Sequence, residues 1–426
     1  MGYEIEIDRD RPLTFDWHAP NIWRILGLPP ARNAALERSM ASVLACAILA
    51  VESGQRVSYC RNKNFYANSS RYRGTAFTYT TVLSSIAALD AAGLIIDARA
   101  HQGRLGRQSI FVASDELIDA WDDELSQLEL SQLVHDPGEI IRLKDSAGEL
   151  IGYRDTRETL RMRRALAQDN EHLAALRIDV PVAERRGRHM VFNDNCFVLP
   201  TPGNGLYRVF SRGSFALHGR AYGWWQNIPE TARATLTING EPVVEADYRS
   251  LHPMILYSQA GIRFDGDPYD VDGFKRSDIK LGFVIAINAK NTPAAIAALA
   301  DHLGTDRRHA SNVIAAIKRR HKPIEKQFCS DAGVRLMRID SELILGALRA
   351  MNDNGDPALP VHDSLIVPAR CANQASAKMV EVFEQIVGRA NPCSVNIKGE
   401  SVLHMGETLP PPPALSGPRP GASAPW

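Results

Sequence analysis

Two aspartates stand where the chain can bring carboxylates together. Asp247 closes an apolar run, Val243-Val244-Glu245-Ala246-Asp247-Tyr248, that reads as a strand followed by a turn into a helix starting near Pro253. Asp363 lies about 115 residues further on, within a second apolar run from Ala358 to Pro368. A carboxylate at the tip of a buried strand is poorly solvated and asks for a cationic partner. Two carboxylates on neighbouring strands repel each other unless divalent metal lies between them, which is the arrangement that serves in-line phosphoryl displacement by two metal ions. Taken singly, either aspartate also reads as a turn former or a helix cap. The ordered set is what points to phosphoryl chemistry.

Two cations extend that set. Arg276 and Lys280 are four apart and so share one face of a helix, where they can meet a triphosphate together. Nucleotidyl transfer needs such a clamp beside carboxylate-held Mg²⁺, because the enzyme's work is mostly positioning and charge stabilisation.

The elements that must position these residues are legible in outline. At 426 residues the chain is long enough for two or three domains, and its composition is that of a globular protein. Lys and Arg number 49 against 49 Asp and Glu, so net charge gives no whole-molecule argument for a nucleic-acid partner, and local charge must carry it. Cys46, Cys60, Cys196, Cys329, Cys371 and Cys393 show neither a CxxC pair nor zinc-ligand spacing and read as free thiols in a reducing compartment. With an acidic amino terminus and no apolar run expected to reach bilayer length, the cytoplasm is the expected compartment and no membrane partner is expected.

Residues 1–33 read as an extension. Within 34–125, helices over Ala35–Val51 and Tyr79–Ala92 precede a strand at Leu94–Ile96, a basic turn from Arg99 to Arg107 and a return strand at Ser109–Val112. That order resembles a winged helix-turn-helix, in which the helix from Thr78 to Ala92 would read DNA, Gln102 to Arg107 would form the wing, and Arg71, Arg73, Arg104 and Arg107 would contact phosphates. A solvated basic face on a small helical domain is the plainer alternative, and winged helices also bind proteins. Residues 126–190 read as a helical linker, with an amphipathic, thumb-like helix from Asp155 to Arg177 that turns Leu160, Leu166, Leu173 and Leu176 inward and Arg157, Arg161, Arg163 and Arg164 outward. Residues 191–408 carry the chemistry. The Pro-rich stretch 409–426 cannot bury enough apolar surface to fold.

The run His218-Gly219-Arg220, then Gln226-Asn227-Ile228-Pro229, Arg233, Asp247-Tyr248, Lys275-Arg276 with Lys280, and Val361-His362-Asp363 resembles the ordered signature of family A DNA polymerases and the single-subunit, phage-type RNA polymerases. The resemblance covers roughly Phe215 to Pro368. It implies an α/β (α+β) chain whose right-hand polymerase core has an antiparallel palm sheet and reduced fingers. It also implies that Asp247 and Asp363 hold two Mg²⁺ ions, with Mn²⁺ as a substitute, and that Arg276 and Lys280 hold the incoming triphosphate. Arg220 and Gln226 would follow the primer-template minor groove and His362 the primer end.

His252 stands five positions after Asp247, where family A DNA polymerases carry Glu. Its ring is bulky enough to exclude a ribose 2′-hydroxyl, and it can equally exchange a hydrogen bond with one, so sugar preference stays open. Asn288 occupies the position of the family's Tyr over the nascent base pair. No acidic motif for a proofreading nuclease is present.

The expected function is therefore template-directed nucleotidyl transfer on a DNA primer-template with dNTPs or NTPs. DNA synthesis for a plasmid, phage or mobile element is the leading form, and an RNA polymerase or primase is the alternative. A third possibility, of a different class, is a DNA-binding initiator or repressor with a non-catalytic palm.

Overall fold

The computed structural model describes residues 10–20, 26–28, 30–67, 70–99, 108–122, 133–192, 196–391 and 393–399. The chain is a mixed α+β protein with several separate sheets, and its apolar residues gather into two clusters. One draws on Trp17 to Leu133 and the other on Ile141 to Phe383.

The first cluster is organised by helix α1 (Ala34–Ser53), which starts where the Asn33 side chain accepts from the Leu36 amide and ends at Gly54 in the left-handed conformation, φ 62°. Its Ala- and Leu-rich surface is buried nearly all round. It is long and apolar enough to cross a membrane, with a best-window mean hydropathy of 1.7, although 72% of that window is buried inside the protein. The expectation that no apolar run reaches bilayer length is corrected here: continuous hydrophobicity over 20 residues reflects a central core helix packed on several sides.

Helix α2 (Tyr79–Ala91) packs on α1 after a capping box between Thr78 and Thr81. Strands β1 (Asp10–Pro12), β2 (Arg56–Tyr59), β3 (Ile95–Ala98) and β4 (Ser109–Ala113) form a four-stranded sheet in the order β1-β2-β4-β3. The two helices and the β3–β4 pairing occur as expected. The connection carrying Arg104 and Arg107 lies outside the described residues.

In the second cluster, helix α3 (Arg157–Ala174) buries Met162, Leu166, Asp169 and Leu173, whereas Leu160 is 39% exposed. The inward stripe thus runs through Met162 rather than Leu160. Asp169 is admitted to it because Arg349 pairs with the carboxylate at 2.9 Å. Strands β5 (Tyr207–Ser211) and β6 (Ser214–Tyr222) form a hairpin with a register irregularity near His218.

The sheet that matters most is antiparallel throughout. Strand β7 (Glu241–Tyr248) lies between β9 (Ser364–Pro368) on one side and β10 (Val395–Lys398) on the other, with β8 (Leu359–Val361) beyond β9. Alternation along β7 buries Val244, Ala246 and Tyr248, and Tyr248 donates its hydroxyl to the Met379 carbonyl at 2.6 Å. Val243, Glu245 and Asp247 are left on the half-open face.

Helices α4 (Leu251–Gln259), α5 (Arg276–Asn288), α6 (Thr292–Leu303) and α7 (Arg307–Arg320) follow β7 in order. Then come α8 (Gly333–Asn352), which leads into β8, and α9 (Ala372–Ile386), which packs against α8 and the sheet.

The two clusters are joined by buried charges. Glu139, with its side chain only 8% exposed, receives Arg71 at 2.8 Å and Arg163 at 2.9 Å. Burial disfavours its charge, but those two guanidiniums and the Ile141 amide hold its carboxyl below the usual range.

Candidate functional site

Asp247 and Asp363 are brought together by strand register. Asp247 is the residue of β7 paired with Ser364 of β9, and Asp363 immediately precedes Ser364 in the two-residue turn from β8 into β9. That turn needs a left-handed backbone at His362, φ 51°, and the Asp363 carbonyl lies 3.5 Å from the Tyr248 amide nitrogen. Burial, with the added repulsion of Asp363 and Glu245, pushes the Asp247 carboxyl above its ordinary value although Lys398 opposes the shift.

Three side chains that sequence reasoning did not single out complete the open face. Glu245 precedes Asp247 by two and shares its face, and Ser364 Oγ lies 2.8 Å from Glu245 Oε1. Lys398 is paired across the strands with Glu245, and its Nζ lies 2.9 Å from Asp247 Oδ2 and 3.8 Å from Glu245 Oε1. A lysine at the end of a short strand carries no local signal of such a role, so only pairing of β7 with β10 reveals it.

Arg276, at the start of α5, approaches this face through Tyr269. Tyr269, buried in the loop before α5, hydrogen-bonds Ser250 and feels the charge of Asp363. Burial pushes its phenol up to about 12. The Arg276 guanidinium sits 5.3 Å from the Tyr269 ring centroid and bonds Asp267 at 2.6 Å. Arg276 is therefore already held at the helix start rather than free. Lys280, one turn on, is exposed and has no protein partner among the described residues. Asn288, expected over the base pair, ends α5 and donates to the Val284 carbonyl at 2.8 Å, with its amide against Gly333.

Arg220 is the largest departure from expectation. Expected on a primer-template groove, its guanidinium forms a two-pronged pair with Asp340 of α8, at 2.6 and 3.2 Å, and Asp340 is completely buried. Burial opposes the charge of Arg220 and the carboxylate more than restores it, so its pKa is raised.

The irregularity at His218-Gly219 produces this aim. Gly219 has φ 83°, and a Cβ there would stand 2.7 Å from the Phe210 ring, so only glycine lets the strand turn Arg220 toward α8. His252 Nε2 bonds the same Asp340 oxygen at 3.2 Å. A carboxylate only accepts, so Nε2 is the donor in this bond.

Gln226 likewise turns inward. It donates to the Ala221 and Pro360 carbonyls at 3.1 and 2.9 Å, and with Trp225 Nε1 on the same Pro360 oxygen at 3.0 Å it props the strand that delivers Asp363. His362 is exposed at the turn tip. Partial desolvation there and the neighbouring Arg220 hold its imidazole below the ordinary range.

In the amino-terminal part, Arg71 is committed to Glu139, Asp155 and the Tyr153 carbonyl, and Arg73 bonds the Phe65 carbonyl at 2.7 Å while stacking on the Phe65 ring. Both act in the described fold as internal struts. Helix α2 itself contains no Lys or Arg.

Among the described residues no group of three or more His, Cys, Asp and Glu side chains stands ready to cage a metal. The Asp247–Asp363 pair nevertheless suits a hard dication of the Mg²⁺ type, which keeps waters and shares one or two carboxylates with substrate phosphates rather than needing a full protein cage. The same face thus offers the carboxylates of Asp247 and Asp363 for metal, with Arg276 near them through Tyr269.

No protein-family model and no curated protein matches the chain. Among solved structures, the POL domain of Pol1 from M. smegmatis in complex with DNA primer-template and dNTP aligns over 45% of this chain and 47% of that one, at 14% identity and a TM-score of 0.27. This chain thus spans about half the length of that structure, and a likeness at that level establishes neither fold family nor function.

Proposed function

We propose that the chain is a template-directed nucleotidyltransferase, with DNA synthesis as the leading form, built on a right-hand core whose palm is the β7–β9–β10 sheet. The observation that carries this reading is the register that sets Asp247 and Asp363 close together at adjacent strand ends. Residues 191–408 would form palm and reduced fingers, 126–190 a linker with the thumb-like helix α3, and 34–125 a winged-helix-like DNA-binding module. Its phosphate contacts would come from segments flanking α2, including Arg104 and Arg107.

In this reading Asp247 and Asp363 hold Mg²⁺ or Mn²⁺ jointly with the nucleotide phosphates. Bound metal would supply charge neutralisation and lower the pKa of a primer 3′-hydroxyl. Lys280, with no competing partner, binds the triphosphate, and Arg276 joins it by exchanging Asp267 for phosphate. His252, held on Asp340, faces the sugar. Arg220 acts by ordering His252 through their shared carboxylate, and Gln226 by propping the Asp363 turn.

The test is primer extension with Mg²⁺ by the wild type, Asp363→Asn and Asp247→Asn, each supplied in turn with dNTPs and NTPs on primed and unprimed templates. Loss of about 10³-fold or more in both variants, with folding intact, is the expected result. A second reading, an initiator or repressor with a non-catalytic palm, draws on the ion pair between Lys398 and Asp247, which already balances one carboxylate. In that case extension is absent from the wild type, and Asp247→Asn leaves DNA binding unchanged.

A further inference from the structure

We propose that Lys398 is an internal cation that occupies the metal-facing oxygen of Asp247 while no nucleotide is bound and transfers to the nucleotide's phosphates when metal arrives, so that metal and nucleotide load together. The inference rests on the nucleotidyl-transfer reading and adds to it a residue and an order of events.

The ammonium has a place in the sheet rather than a chance contact. Direct pairing of Lys398 with Glu245 puts its side chain on the same open face as Glu245 and Asp247, and from there Nζ reaches Asp247 Oδ2 at 2.9 Å. Glu245 Oε1, at 3.8 Å, keeps the lysine between two carboxylates, and Asp363 adds its field. Burial works against the ammonium, and the bond to Asp247 together with the charges of Asp247, Glu245 and Asp363 outweighs it.

A dication coordinated by that same Asp247 oxygen competes with an ammonium in hydrogen-bond contact with it, since two like charges would then meet at one ligand atom. Metal alone must therefore expel Lys398 into solvent, which weakens its binding. A triphosphate changes the balance. Once metal has neutralised the carboxylates, the nearest uncompensated anion is the metal-bound phosphate, and the lysine stem is flexible and 48% exposed, so the head can swing to it. The metal and nucleotide then help each other bind, and linkage makes that help reciprocal.

The experiment uses the full chain and reads binding rather than turnover. Mn²⁺ affinity is measured by electron paramagnetic resonance without nucleotide. Affinity for a nucleoside triphosphate with a non-cleavable α–β bridge is then measured at saturating Mn²⁺. Wild type is compared with Lys398→Met, Lys398→Arg and Asp247→Asn. Lys398→Met is expected to bind Mn²⁺ alone about 10-fold more tightly and the nucleotide about 10-fold more weakly, a coupling of the size typical between linked sites. Lys398→Arg, which keeps the charge, is expected to follow the wild type in direction.

Equal Mn²⁺ affinity in wild type and Lys398→Met, with Asp247→Asn abolishing it, overturns the role of Lys398 and leaves the metal site standing. Mn²⁺ binding that ignores Asp247→Asn removes the metal site itself, and the inference with it.

Discussion

Removing Asp340 should damage the protein more than removing any other single carboxylate near the site. Its side chain is 0% exposed and receives Arg220 through two nitrogens and His252 through one. Arg220 is itself only 17% exposed, so Asp340→Ala strands a guanidinium without its counter-ion in a largely closed space. Breaking a buried pair from one side costs about 3–5 kcal/mol, and the lost charge-assisted bonds, about 1.5–3 kcal/mol each, account for that range without being additive.

Replacing both charges by apolar groups, Arg220→Met with Asp340→Leu, removes the stranded charge and should cost less than Asp340→Ala alone. The assay is a double-mutant cycle in urea, with native-state hydrogen exchange over β6 and α8 so that opening of the amino-terminal cluster does not enter. A loss below about 1 kcal/mol for Asp340→Ala, or a double variant whose loss equals the sum of Arg220→Met alone and Asp340→Leu alone, would refute the pairing.

Two further outcomes follow from buried groups outside the carboxylate face. His321 is fully buried between the Tyr257 hydroxyl and the Pro268 carbonyl, and burial lowers its pKa from 6.5 to about 4. The folded form therefore refuses a proton that the unfolded chain takes up. Stability should be nearly constant above about pH 7, fall by about 2 kcal/mol between pH 7 and pH 5, and go on falling until about pH 4, with His321→Gln flattening the slope in urea titrations.

Gly223→Ala should cost about 1–3 kcal/mol by overpacking, because its Cβ would stand 2.4 Å from the buried Trp225 ring. Tryptophan fluorescence during unfolding checks it, and an unchanged midpoint would show that the indole is free to move.

By itself the sequence made many secondary elements and two candidate carboxylates legible. An apolar run predicts β7, with Asp247 near its end. The run from Ala358 to Pro368 reads as one continuous strand, and the structure instead breaks it at His362-Asp363 into β8, a two-residue turn and β9, whereas the amphipathic pattern of Ile339–Met351 marks α8, which buries Leu343, Ile344, Ala347 and Leu348. These signals are local, since they depend only on which face of one element is apolar.

What only the tertiary structure decided is which charges meet. Arg220 and Asp340 are 120 positions apart, and Lys398 reaches Asp247 only because a strand near the end of the described chain pairs with one in its middle. Arg71 reads as a phosphate contact until Glu139 and Asp155, 68 and 84 positions away, are seen to hold it. A cation's type and spacing fix what it can bind. Which anion it does bind depends on the neighbour that folding supplies, and no local pattern encodes that neighbour.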